Sequence, residues 1–129
     1  METLTFNQTA NGLQNTQTET WTFKRGIGYA PVQALVSATA VCESYVYQEI
    51  LTNSKVNYTF EKTVVSYERE EAGHVNPVKT ISVTFYLKDV PVEKQGLATR
   101  ALRLVQANCP VTQSLNASIQ ISETIIFDD

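Results

Sequence analysis

The chain has 129 residues, 43% of them hydrophobic and 18% charged, with a net charge of −3, two cysteines, one histidine and one tryptophan. That size suits one domain over residues 1–129, with too much evenly spread apolar surface for global disorder. No apolar run nears the ~18 to 20 residues of a membrane span, no basic then apolar leader opens the chain, and the cations are scattered, so neither membrane nor nucleic acid is an expected partner and cytoplasm is the expected location.

The N-terminal stretch is rich in Thr, Asn and Gln, and Asn11-Gly12 predicts a two-residue turn between two short strands. Thr18 to Lys24 alternates threonines with Glu19, Trp21 and Phe23, the period of a third strand. Pro31 stands where a helix starts at no cost in backbone donors. From there to about Thr52, Ala34, Leu35, Ala38, Val41, Cys42, Tyr45, Val46 and Ile50 recur every three or four residues. They predict a helix that buries this stripe and turns Ser37, Ser44 and Gln48 outward. Small residues at Ala34, Ala38 and Ala40 let another backbone approach, so the helix is expected to be central.

Tyr58 to Glu70 predicts a strand whose alternation breaks at Val64-Val65, implying a bulge there or burial on both faces. After a turn over Glu71–Asn76, Val78 to Lys88 alternates cleanly, with Ile81, Val83, Phe85 and Leu87 inward. Pro91 opens a second helical pattern to about Ala107 with Leu97, Ala101, Leu104 and Val105 buried and Lys94, Arg100 and Arg103 outward. Gly96 weakens its first turn by ~1 kcal/mol relative to alanine. Cys109-Pro110 interrupts the pattern, a short helix from Pro110 to Leu115 follows, and Ser118 to Ile126 closes as a strand with Ile119, Ile121 and Ile125 inward. The composition of elements is α+β.

Two cysteines are too few for a disulfide scaffold, so their settings matter more than their number. Cys42 sits mid-helix on the apolar stripe, the ordinary place for a small buried hydrophobe. Cys109 falls at the N-cap of the helix opened by Pro110, where unpaired N–H groups and the positive end of the dipole stabilise a thiolate, although a cysteine there also serves as a plain cap. Chemistry requires that the two sulfurs meet.

The segment from Ala30 to Cys42, with Pro31 opening a small-residue helix, resembles the central-helix motif of the OsmC/Ohr family. Asn108-Cys109-Pro110-Val111 with Leu115 resembles that family's second cysteine motif, at the family's usual separation. The resemblance implies a curved antiparallel sheet around the cysteine-bearing helix in an intertwined homodimer with active sites at the subunit interface. It also implies a thiol-dependent peroxidase that reduces organic hydroperoxides, with Cys42 as peroxidatic and Cys109 as resolving residue. No bound cofactor or metal is expected. The reductant would be an external dithiol of the lipoyl type, and the apolar surroundings of Cys42 would favour alkyl or fatty-acid hydroperoxides. In the alternative reading the same fold is a non-catalytic module that holds a small apolar ligand at the dimer interface.

The family pairs its reactive cysteine with an N-terminal arginine held by a glutamate just after the helix-opening proline. Here that position is Val32, followed by the neutral Gln33, and Asn7 to Gln14 carries no basic residue. Arg25 is the only arginine upstream of Cys42, and is either its activating cation or a solvated strand-end charge. Without a guanidinium, a thiol on an apolar helix face has a raised pKa. Glu43 and Glu49 lie on the helix flank, where such charges are commonly solvated, although they could orient a base or pair with Arg25. His74 with two cysteines falls short of tetrahedral zinc, no Gly-x-Ser-x-Gly elbow supports a hydrolase, and Tyr29, Tyr45 and Tyr47 read as core or interface packing.

Overall fold

The computed structural model describes residues 2–17, 28 and 30–128. The predicted strand Thr18 to Lys24, and with it Arg25 and Tyr29, lies outside the described residues.

Strands β1 (Glu2–Thr9) and β2 (Gly12–Asn15) form an N-terminal hairpin, β3 (Thr59–Arg69) and β4 (Val78–Lys88) form a second, and β5 (Gln120–Phe127) runs along the far edge. The sheet order is β2-β1-β3-β4-β5. The family resemblance implies an antiparallel sheet, and every pair is antiparallel except β4–β5, which is parallel. The exception follows from connectivity. Residues 89–119 carry the chain through a helical crossover before β5 begins, and a crossover is what parallel neighbours need.

The first hairpin turns one residue earlier than predicted. Thr9 pairs with Gly12, leaving Ala10-Asn11 as the loop, and only Gly12 takes a positive φ, +105°. Glycine is suited to that conformation, and space demands it as well, because a Cβ there would stand 2.8 Å from the hydroxyl of Tyr45. The Leu13 N–H donates to the same hydroxyl at 3.0 Å, so the hairpin is fitted onto the long helix.

That helix, α1 (Pro31–Asn53), starts at the proline as expected, and the Gln33 side chain accepts from the Ala30 N–H at 3.0 Å to satisfy one free donor of its N-terminus. It ends in a Schellman arrangement. Lys55, at φ 59°, donates its N–H to the Thr52 carbonyl, and the Val56 N–H returns to the Leu51 carbonyl.

The helix is turned about its axis from the predicted orientation. Its buried residues are Val36, Ser37, Thr39, Ala40, Glu43, Ser44, Tyr47 and Leu51, whereas Leu35 is 42% and Tyr45 46% exposed. Ser37 and Ser44, expected outward, therefore face inward. The physical reason is that apolar residues occur around most of the helix, so periodicity alone did not select the core side. Polar side chains on the buried face are satisfied locally. Ser44 Oγ donates to the Ala40 carbonyl at 2.7 Å and lies 2.6 Å from Thr63 Oγ1 on β3, whose hydroxyl is then the donor in the second contact.

Thr63 also explains the broken alternation of β3. The register slips between Phe60 and Lys62, and again between Glu68 and Arg69, not at Val64-Val65. Past the Glu61 irregularity, Thr63, Val65 and Tyr67 point inward, so a polar residue occupies a core position and leaves Val64 half-buried. Strand β4 behaves as predicted, with Ile81, Val83, Phe85 and Leu87 fully buried. Tyr47 stacks on Phe85 with ring centroids 4.8 Å apart and donates to the Ala98 carbonyl at 2.8 Å, which ties α1 to both the sheet and the crossover.

The crossover comprises α2 (Val92–Ala101), a 3₁₀ turn (Leu102–Leu104), α3 (Val105–Asn108) and α4 (Pro110–Gln113). The tighter turn shifts the helical phase, so Ala98, Ala101 and Val105 are buried while Leu104, predicted inward, is exposed.

Candidate active site

Cys42 lies half-buried on α1, and Cys109 is fully buried at the break between α3 and α4. Cys109 has extended backbone (φ −99°, ψ 110°), as a residue before proline requires, and its sulfur caps α4 by accepting the Thr112 N–H at 3.5 Å. The same short turn acts on the other sulfur, since the Val111 amide favours the Cys42 thiolate. The two thiols lie close enough that Cys109 acts on the titration of Cys42. Both are free. Sequence separation is thus cancelled by the packing of α3 and α4 against α1.

Burial pushes the Cys42 thiol above its ordinary pKa of 9.0, and the neighbouring Cys109 adds to the rise. The Val111 amide pulls the other way, while the negative potential of Cys109 and Glu43 again raises it. The direction matches the expectation from an apolar helix setting.

Beside Cys42 an apolar cavity of about 440 Å³ opens between α1 and the first hairpin. Ala38, Val41, Cys42 and Tyr45 line it from the helix, and Phe6 and Leu13 from β1 and β2. These helix residues are the stripe predicted to be core, and the structure gives them to a cavity wall instead.

Glu43, the neighbour of Cys42, was expected on a solvated flank and is fully buried. Its Oε2 accepts from Thr112 Oγ1 at 2.6 Å. Its other oxygen, Oε1, and Glu123 Oε2 on β5 are both buried without a donor among the described residues, although the two carboxyl groups are hydrogen-bonding neighbours. Two carboxylate oxygens satisfy each other only with a proton between them. Accordingly the Glu43 carboxyl is pushed up to about 9, first by burial and then by its bond to Glu123, against the opposing pull of Thr112. Glu123 is anchored at Oε1 by Gln106 Nε2, 3.0 Å away. A glutamate next to a cysteine on a helix with apolar residues on both flanks was the available sign of this group. Glu123 and Thr112 gave none, because their role depends on the crossover.

Gln33 donates to Glu2 Oε2 at 3.4 Å besides receiving the Ala30 N–H, so it serves the helix start. Val32 is half-buried against the core. Arg25 lies outside the described residues. His74 is exposed in the β3–β4 turn and Glu49 is exposed on α1. Tyr47 is core, while Tyr45 lines the cavity. No three potential metal-ligating side chains cluster among the described residues, and no helix there is long and apolar enough to cross a membrane.

A family model described as OsmC-like protein matches residues 24–124. An OsmC-like protein from Mycoplasma pneumoniae has a similar fold, with a TM-score of 0.65 at 13% identity, over 99% of this chain and 96% of that one. An organic hydroperoxide resistance protein, OsmC, from Legionella pneumophila gives a TM-score of 0.55 at 12% identity over 97% and 96% of the two chains. The organic hydroperoxide resistance protein OhrB of Bacillus subtilis gives 0.52 at 16% identity over 77% and 71%. At such identities the likeness is one of fold. No curated protein matches the chain in sequence.

Proposed function

Given that the chain belongs to the OsmC-like protein family, we propose that it is a thiol-dependent peroxidase that reduces organic hydroperoxides to alcohols. The observation carrying this reading is the pair of free thiols, close enough for Cys109 to act on the titration of Cys42, beside an apolar cavity. In the first step the Cys42 thiolate attacks the distal oxygen of the hydroperoxide. The O–O bond breaks, the alkoxide leaves and takes a proton as the alcohol, and Cys42 becomes a sulfenic acid. Cys109 then attacks the Cys42 sulfur, water leaves and a disulfide forms. An external dithiol of the lipoyl type restores both thiols through a mixed disulfide, with no bound cofactor.

The apolar lining suits an alkyl or aryl substituent on the peroxide. A raised Cys42 pKa leaves little thiolate at neutral pH, so a cation is needed, and Arg25 is proposed for that role. The exposed Leu35, Ala38 and Tyr45 on α1 suit cover by a second copy, consistent with the homodimer that the family implies.

Turnover of cumene hydroperoxide and of hydrogen peroxide with dihydrolipoamide tests the reading. The aryl peroxide is expected to give kcat/KM at least about tenfold higher, since burying a ring of that size is worth about 1.5–3 kcal/mol. From pH 7 to 9 the rate of Cys42 oxidation should rise with pH, by up to about tenfold per unit, because the reactive thiolate fraction grows. Binding of an apolar probe with neither peroxide consumed would favour the non-catalytic ligand module instead.

A further inference from the structure

Resting on that peroxidase reading, we propose that Thr112 is a positioning residue for the disulfide step: its hydroxyl, held by Glu43, fixes the turn that carries Cys109 against the helix that carries Cys42. Thr112 is 8% exposed, and Glu43 and Cys109 are fully buried. The Thr112 hydroxyl donates to Glu43 Oε2 at 2.6 Å, and its backbone N–H donates to Cys109 Sγ at 3.5 Å. One residue thus grips the second sulfur on one side and, on the other, the residue that follows Cys42 in α1.

Glu43 is a fixed point, since it sits midway along a 23-residue helix packed on the sheet. Helix α4 is not, because its four residues make a single turn, too short to hold a position of its own. Its place is set by what its side chains hold. Gln113 Nε2 donates to the Gln106 carbonyl at 2.8 Å and ties α4 to α3, while the Thr112 hydroxyl ties it to α1.

The disulfide step depends on that placement. A lone pair on Cys109 Sγ forms the S–S bond as the S–O bond of the Cys42 sulfenic acid breaks, so Cys109 is oxidised and the sulfenic sulfur reduced. The departing hydroxide takes up the proton that Cys109 gives up and leaves as water. The oxidising equivalent comes from the organic hydroperoxide that made the sulfenic acid. A disulfide closes only with its Cβ atoms about 3.5–4.5 Å apart and within a narrow range of dihedral angles. Its rate therefore follows how firmly the turn holds Cys109 within reach. The first oxidation uses Cys42 and the cavity wall, which Thr112 does not line. The two steps should respond differently to Thr112.

Thr112→Val tests this, because valine keeps the β-branch and the backbone N–H that meets Cys109 and removes only the hydroxyl. Stopped-flow measurement with cumene hydroperoxide follows sulfenic acid formation and disulfide formation as separate phases. In Thr112→Val the disulfide phase should be slower by about tenfold or more, with the first phase within about twofold of native. Excess peroxide should then drive the longer-lived sulfenic acid on to sulfinic acid. Thr112→Ser, which restores the hydroxyl, should recover the native second phase. Thr112→Val combined with Glu43→Leu replaces both partners by apolar groups and guards against a folding defect from an orphaned oxygen. Its second phase should be as slow as that of Thr112→Val alone, the non-additivity expected of one shared contact. A second phase in Thr112→Val within about twofold of native, equal slowing of both phases, or a Thr112→Ser variant as slow as Thr112→Val overturns the positioning role while leaving the peroxidase standing. Absence of any sulfenic acid trapped by dimedone in Cys109→Ser, where Thr112 is native, overturns both.

Discussion

Cys42→Ser should lower peroxide consumption by about 10³-fold or more, because no other group beside the cavity supplies a nucleophilic sulfur at its wall. The substitution is small and its site half-buried, so the fold should survive it. Cys109→Ser has a different signature. Its hydroxyl can still cap α4 by accepting the Thr112 N–H, so structure is retained and the first oxidation proceeds. With no second thiol the reaction should halt at the Cys42 sulfenic acid, giving a single turnover that dimedone traps. Comparison of initial burst and steady-state rates in the two variants separates the roles. Steady turnover by Cys42→Ser through Cys109 would reverse the assignment.

The proton held at Glu43 should appear in stability. In the unfolded chain this carboxyl titrates near its ordinary 4.5, and in the folded chain it holds its proton to about 9. Between those values the folded state binds more protons than the unfolded one, so this group makes stability fall as pH rises and its effect levels off above about 9. By pH 8 the cost is on the order of a few kcal/mol. Glu43→Gln, neutral at every pH, should be more stable than the native chain at pH 8, by on the order of 1–3 kcal/mol, with the difference shrinking towards pH 5. Urea unfolding of both proteins across that range measures it. A stability difference independent of pH would mean that Glu43 titrates normally.

These effects centre on a residue whose setting the sequence concealed, while much of the fold was legible. Strand β4 and helix α1 were readable because their patterns are long and bounded by proline or turn residues. Cys109-Pro110 announced the break that brings the second sulfur in, and both cysteine motifs resembled those of one family. What escaped reading has a common cause. Apolar residues surround α1, so the stripe containing Cys42 and Tyr45 looked like core when it lines a cavity, and the true core face includes Ser44 and Glu43. Polar residues inside are tolerated through partners distant in sequence, Thr63 for Ser44 and Thr112 with Glu123 for Glu43. No local pattern encodes such pairs. The parallel run of β5 was equally hidden, since its direction depends on the crossover's path.

The most direct measurement is the state of the two thiols after one equivalent of cumene hydroperoxide without reductant, read by thiol titration and by mass spectrometry of digested protein. The expected result is loss of both free thiols within one chain and a peptide pair linked through Cys42 and Cys109, reversed by dihydrolipoamide. Both thiols remaining free at micromolar peroxide, or Cys109 oxidised while Cys42 stays reduced, would contradict it.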